Sequence, residues 1–406
     1  MTAEPPRPDV VVVGGGIVGM ATAEALVRAH PDLVVEVIEK EPEVARHQTG
    51  HNSGVVHSGI YYRPGTLRAR LCVAGVGMLR DFCDAHGVAY DEVGKVVVAT
   101  DPGELDRLAA LFERGNANGV PDLALLDAGE LREIEPHAAG IQAIHSPRTA
   151  IVDFPGVTRA LRAEFERRGG RVRLGVTVEG IRATGAAVTL ATDHGPLEAG
   201  HVITCGGLHA DRLARMAGAD VSDVLIVPFR GEYYVLAEHR RDLVNGLIYP
   251  VPDPAMPFLG VHLTRTVHGE VEAGPNAVWA LAREGYGQLD VRLADAAEAV
   301  AYPGLWRLAT RYWRTAAFEA YRSFSKRAFV DALQRLVPAI GMDDVRRGGA
   351  GVRAQALGRD GAMFDDFVIR ESPRALHVIN APSPAATASL AIGEHLVERA
   401  KAAFGW

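Results

Sequence analysis

The feature that most constrains this chain is a strand, turn, helix and strand unit near its start. Val10-Val11-Val12-Val13 is the β-branched run that a strand buried on both faces requires, and Gly14-Gly15-Gly16-Ile17-Val18-Gly19 comes next, before a helical pattern from Met20 to Arg28. In such a Gly-x-Gly-x-x-Gly turn, Gly14 permits the tight turn and Gly16 lets a pyrophosphate approach the main chain. Gly19 lets helix and strand pack closely, with the helix N-terminus facing the phosphates. A second strand, Val34 to Ile38, ends at Glu39, about twenty residues beyond Gly19, where a ribose-binding carboxylate belongs. Alone, the glycine pattern would be weak in a chain with 44 glycines among 406 residues. In this context it reads as a dinucleotide site, without separating FAD from NAD.

The segment after Glu39 narrows the choice. Glu39-Lys40 leads into His47-Gln48-Thr49-Gly50-His51-Asn52-Ser53-Gly54, too rich in Gly, Ser and Asn for a plain crossover. The loop reads as a second phosphate and ribityl cradle, with Thr49, Asn52, Ser53 and Gly54 as contacts, of the kind an extended FAD needs.

Composition excludes other classes. Apolar residues at 48% and charged residues at 23% are globular values, and the length fits two domains. A net charge of −7 disfavours a broadly basic nucleic-acid face and favours a small ligand. Cys72, Cys83 and Cys205 lack metal-ligand spacing and read as reduced thiols of a cytoplasmic protein. The polar, proline-rich start reads as no signal or transit peptide. Val10 to Val27, the most apolar stretch, contains Glu24 and several glycines and is not a membrane span. There is no internal repeat or low-complexity tract.

His47 to Cys72, HQTGHNSGVVHSGIYYRPGTLRARLC, resembles the L-2-hydroxyglutarate oxidase/dehydrogenase family within the glycine-oxidase-like FAD oxidoreductases. FRGEYYVL at 229–236, IYPVPDPAMPFLGVHLTR at 248–265, GPNAV at 274–278, AGVRAQAL at 350–357 and NAPSPAATASLAIG at 380–393 match it in order. The resemblance implies an α/β chain, glutathione-reductase-like or D-amino-acid-oxidase-like. Its Rossmann-like FAD-binding domain would comprise residues 1–85, 146–225 and 341–406. An α+β substrate domain with a mainly antiparallel sheet, residues 86–145 and 226–340, would cover the flavin. It also implies backbone contact of Val178 with adenine, and Cys205 and Gly206 near the pyrophosphate.

The local patterns fit that layout. A helical pattern runs from Phe154 to Arg168, Arg171 to Val178 alternates like a strand, and His201 to Gly207 reads as a buried strand ending in glycines. Short strands over 186–198, set inside the second FAD piece in sequence, and several more over 227–282 read as cover.

Oxidising a secondary alcohol at a flavin needs a base, cations for substrate carboxylates and a group favouring reduced flavin. His57, in the loop beyond the cradle, and His262, on a strand face shared with Thr264, are the candidate proton acceptors. The resemblance sets both near the isoalloxazine. Arg353 stands where related amino-acid oxidases place an arginine for the α-carboxylate, a planar fork matched to that group. Tyr62 and Tyr234 are the candidates from the pairs Tyr61-Tyr62 and Tyr233-Tyr234, since on a strand only one of each pair faces a site. For a second carboxylate Arg63, Arg230 or Arg265 could serve, without the sequence choosing among them, and Arg265 stands as the candidate. Asn380 to Thr387 precedes a helical pattern, so Ser383, Ala385, Ala386 and Thr387 would aim main-chain N–H groups at the flavin. Prolines and small residues stand here where the wider group has glycines. His47, His51 and His57 lack a carboxylate or cysteine at ligand spacing, so no metal is expected.

Leu305 to Phe329 interleaves seven aromatics with six arginines and lysines. It could form a basic, aromatic face on an anionic membrane, suited to electron delivery to a quinone. Its helical spacing favours an amphipathic hairpin packed on the cover domain. The expected activity is FAD-dependent oxidation of the small dicarboxylate L-2-hydroxyglutarate to 2-oxoglutarate, with oxygen or a membrane quinone as acceptor. The rivals are an amine or amino-acid oxidase of the same fold and a flavin-binding protein without turnover.

Overall fold

The computed structural model describes residues 6–253 and 258–406. The reading of the first five residues, and the 254–257 part of the matched stretch 248–265, lie outside the described residues.

The strand Val10–Val13 is buried at every position and pairs in parallel with Val35–Glu39 on one side and His201–Thr204 on the other. It sits inside a six-stranded sheet ordered 368–372, 375–380, 201–204, 10–13, 35–39, 171–174. All pairs are parallel except 368–372 against 375–380. Helices Ile17–Ala29, Phe154–Arg167 and Ser389–Phe404 cover one face through Met20, Leu26, Phe165 and Leu396. The other face carries the three-stranded sheet Val178–Thr184, Ala187–Thr192 and Gly195–Ala199. The strands expected over 186–198 therefore form, with buried Val188 and Leu190, and pack on Val11, Val13 and Val202 of the nucleotide sheet. They do not join the cover.

The second large sheet has nine strands and is antiparallel except where Leu247–Pro250 lies parallel to Lys95–Ala99. Its longest pairing joins Val224–Leu236 to Val345–Gly358. The latter strand, which the expected boundaries assign to the FAD piece, is thus hydrogen-bonded into the covering sheet. Helix Leu67–His86 packs on Ser389–Phe404, with Leu79 and Cys83 in the same core. The Thr66 side chain accepts from the Ala69 N–H at its start, and Gly87 at φ 64° ends it.

Leu305 to Phe329 forms helix Pro303–Phe324, kinked at Tyr312, and the start of Lys326–Gln334. A helix pair is present as the spacing predicts, but its aromatics are largely outside. Trp306, Trp313 and Phe324 are 57%, 61% and 74% exposed, whereas Phe329 is 1% exposed and sits in the core. Among the described residues no helix is long and apolar enough to cross a membrane.

A buried ion pair ties the two sheets together. Arg283 donates from both terminal nitrogens to Asp211, at 2.9 Å for Nη2 to Oδ2, and Asp211 also accepts from the Ile226 N–H at 3.0 Å. Both side chains are almost wholly buried, so removing one partner strands the other's charge. Arg283→Met is predicted to lower the unfolding free energy by about 3–5 kcal/mol in urea titration. A loss under about 1 kcal/mol would show that the pair does not hold the sheets.

Candidate active site

A cavity of about 1040 Å³ lies between the nucleotide sheet and the covering sheet. Its lining runs from Val178, past the glycine turn, to His57, His262 and Arg353. Of the residues singled out from the sequence, Gly14, Gly16, Gly19, Glu39, Lys40, Thr49, Asn52, Ser53, Cys205, Gly206, Ser383, Ala385, Ala386, Thr387 and Tyr62 also border it.

The turn is built for close approach. A Cβ on Gly19 would overlap the Gly14 carbonyl, and one on Gly14, at φ 115°, would overlap the Cys205 carbonyl. Helix and two strand ends therefore meet main chain to main chain, leaving the N-terminus of helix Ile17–Ala29 open to the cavity. Thr49 Oγ1 accepts from the Ile17 N–H at 3.1 Å, fixing the polar loop against that N-terminus. The Glu39 carboxylate accepts from Gly15 N–H at 2.5 Å and Glu41 N–H at 2.9 Å, which holds it at the strand end with lone pairs to spare for hydroxyls. Such a cradle, with the elongated lining, fits FAD.

At the mouth beside Lys40 the absence of carboxylates near His47 does not hold. Glu41, Glu284 and His47 converge in three dimensions, because Glu284 comes from a distant segment. Lys40 Nζ sits 2.8 Å from Glu284, 2.5 Å from Glu41 and 2.9 Å from His47 Nε2, filling the centre of the cluster with its own cation. Against the burial that would lower it, Glu284 and Glu41 keep this ammonium above its ordinary pKa.

At the other end stand the two histidines. The His57 N–H donates to Thr387 Oγ1 at 3.1 Å, and its carbonyl accepts from the Cys72 thiol at 3.0 Å. These contacts pin the main chain while His57 Nδ1 stays buried without a partner, as does the Tyr61 hydroxyl. Orphaned buried polar atoms of this kind call for a bound group. His262 Nδ1 lies 2.9 Å from the Gly260 carbonyl. A carbonyl can only accept, so Nδ1 carries the proton and, in the neutral ring, Nε2 keeps the lone pair. The ring stacks on Tyr249 at 3.9 Å. Burial pushes the His262 pKa down to about 3, with the Gly260 bond opposing, and burial likewise holds His57 well below its ordinary value. Both imidazoles are therefore neutral at physiological pH.

Three expectations fail here. Tyr234 turns away from the cavity and packs on Phe329 at 4.5 Å, because strand alternation puts Phe229, Gly231 and Tyr233 on the face shared with Arg353, the register partner of Phe229. Tyr233 borders the cavity instead. Arg265 is exposed and its guanidinium reaches the Asn245 carbonyl at 3.4 Å, since the alternation that points His262 inward points Arg265 outward. Gly54 is not on the lining; at φ 67° its carbonyl accepts from Val152 N–H at 2.8 Å, so it serves the strand junction. In addition, 60–62 is a turn rather than a strand, so both Tyr61 and Tyr62 border the cavity. Of the other candidate cations, Arg63 is exposed and Arg230 is spent on Glu232 at 3.0 Å.

Sequence reasoning weighed Tyr233 but preferred Tyr234, and it missed Arg68 and Tyr249. Arg68 lines the cavity, lies 4.4 Å over the Tyr62 ring, and donates to the carbonyls of Ser383 at 2.6 Å and Asp365 at 3.0 Å. Nothing local marks it, since its partners lie some three hundred residues away in sequence.

A family profile described as DAO, FAD dependent oxidoreductase, matches residues 9–399. The chain is 47% identical over 390 residues to an L-2-hydroxyglutarate dehydrogenase of Indibacter alkaliphilus, covering 96% of this chain and 98% of that protein. It is 42% identical over 413 residues to the mitochondrial L-2-hydroxyglutarate dehydrogenase of Homo sapiens, covering 98% and 89%. Among solved structures, L-alpha-glycerophosphate oxidase from Mycoplasma pneumoniae with FAD bound matches with a TM-score of 0.80 at 22% identity, over 99% of this chain and 96% of that one. That likeness carries the fold. The cofactor is FAD, in keeping with the cradle. The chain belongs to the DAO family of FAD-dependent oxidoreductases and, within it, to the L-2-hydroxyglutarate dehydrogenases.

Proposed function

We propose that this protein oxidises L-2-hydroxyglutarate to 2-oxoglutarate. The observation that carries the reading is the meeting, at one end of the cavity, of two neutral imidazoles and two guanidiniums without carboxylate partners among the described residues. The names of relatives at 42–47% identity supply the substrate. When bound, FAD would supply the two-electron acceptor for the hydride lost from C2 of the substrate.

The chain's own residues do the rest. Arg353 takes the α-carboxylate, its fork matching the two oxygens. His262 Nε2, bearing the free lone pair, takes the hydroxyl proton, and His57 stands beside it as the other candidate acceptor. Arg68 takes the distal carboxylate in place of the outward-facing Arg265. Its geometry is preset by Tyr62 and two main-chain carbonyls, so little entropy is lost on binding. Tyr62 and Tyr233 wall the substrate. The glycine turn, Glu39, Lys40, Thr49, Asn52, Ser53, Val178, Cys205, Gly206, Ser383, Ala385, Ala386 and Thr387 hold FAD. Among the described residues the FAD-binding pieces are 6–85, 146–225 and 359–406, and strand Val345–Gly358 goes with the cover.

Electrons leave to oxygen or to a quinone. The exposed Trp306, Trp313 and Phe324, interleaved with arginines, support the quinone and a peripheral position on the inner face of the membrane. Anionic liposomes should therefore bind the protein at low salt and release it at high salt. No flotation at low salt sinks this part.

The central test is anaerobic bleaching of the bound flavin by a substrate panel. L-2-hydroxyglutarate should bleach it and its D enantiomer and L-glutamate should not. In Arg68→Met, kcat/KM for L-2-hydroxyglutarate should fall about 10–100-fold, with L-2-hydroxybutyrate, which has no distal carboxylate, unchanged. Bleaching by L-glutamate alone would make the protein an amino-acid oxidase, and an equal loss on both hydroxy acids would remove Arg68 from the distal subsite.

A further inference from the structure

Lys95 is a buried ammonium that the mechanism so far does not use. It lies on the interior strand Lys95–Ala99, flanked on one side by Gln142–Ser146 and on the other by Leu247–Pro250. It is 1% exposed, and its Nζ has no hydrogen-bond partner. No carboxylate pairs with it among the described residues. Burying an unpaired ammonium is costly, and a leucine or methionine would pack the same space without that cost.

The surroundings of Lys95 explain its direction. Its Nζ is 4.8 Å from the Tyr61 ring centroid and 5.3 Å from that of Tyr249. Both rings border the cavity, and Tyr249 is the ring on which His262 stacks at 3.9 Å. Electron-rich faces offset part of the desolvation, yet they supply no counter-charge. The other titratable neighbours stay neutral: burial pushes the Cys72 thiol up to about 12, and burial raises Tyr61 and Tyr249 well above the ordinary phenol. The remaining charges that act on the histidines, Arg68 and Arg353, are cations too. The ammonium therefore lies directly behind the two rings that wall the reaction chamber, and no anion among the described residues cancels it.

We propose that Lys95 is a positioning residue of the reaction, whose buried charge keeps His57 and His262 as uncharged proton acceptors by making a further positive charge in the chamber unfavourable. The inference deepens the proposed function and rests on it for the identity of the proton being removed. After burial, Lys95 is the largest influence holding the His57 pKa down, and it acts on His262 in the same direction behind burial and Arg353. Burial lowers Lys95 itself to about 8. It is thus charged throughout the acidic range where an imidazole would otherwise protonate. Above that, the histidines are neutral without its help. Only the acid side of the profile should depend on it.

The test uses FAD-loaded protein with ¹⁵N-labelled histidine, reading ring protonation of His57 and His262 by NMR as pH is lowered, alongside the acid limb of flavin reduction. In Lys95→Met both should move to higher pH by about one unit, and Lys95→Arg should leave them where the wild type has them. If Lys95→Met does not hold FAD, Lys95→Gln, also uncharged, is read in the same way. Ring titrations in a neutral variant that superimpose on the wild type would overturn the proposal, as would an Arg variant that shifts like the neutral ones. The ring readout needs no substrate. A Lys95-dependent shift in a protein whose flavin L-2-hydroxyglutarate fails to bleach would refute the substrate and leave the role of Lys95 standing.

Discussion

The molecule depends on one close approach of main chain to main chain. Gly14, Gly19 and Cys205 bring a helix start and two strand ends together with no room for a side chain at either glycine. That contact fixes where the helix N-terminus points, and Thr49 and the polar loop are then tied to it. From the loop the chain runs directly to His57, so phosphate cradle and reaction chamber are set by one continuous segment, tied at Thr49 and at His57. The covering sheet is registered on it through the Arg283–Asp211 pair, which brings His262 and Arg353 over the same cavity.

Charge is divided between the two ends of that cavity. At the mouth, cations are compensated: Lys40 lies among Glu41, His47 and Glu284, and Arg212 between Asp295 and Glu298. At the reactive end Arg68, Arg353 and Lys95 have no anionic partner among the described residues. An uncompensated positive field favours a dianionic substrate and disfavours protonated imidazole, so substrate capture and the supply of a base share one arrangement.

The nucleotide half was legible because its signals are local. A β-branched run, spaced glycines and an acid at the next strand end specify geometry within some thirty residues, and almost every cofactor residue named from them borders the cavity. The reactive end was legible only in part. His57, His262 and Arg353 were reached through resemblance, whereas Tyr234 and Arg265 failed on a question of strand parity, which needs the sheet to be seen. Arg68 and Lys95 leave no local trace, since the first is fixed by carbonyls far along the chain and the second by burial among strands distant in sequence. The exposed aromatics of 303–324 went the same way, because helical spacing alone does not say which side a neighbour covers.

The most direct measurement is a crystal structure of the FAD-loaded protein with 2-oxoglutarate. The account predicts the product at the inner end of the larger cavity, one carboxylate on Arg353, the other on Arg68, and the C2 oxygen toward His262 Nε2 or His57. Product lodged instead in the adjoining cavity of about 780 Å³ beside helix Pro303–Phe324, or lying with its C2 oxygen away from both imidazoles, would contradict it.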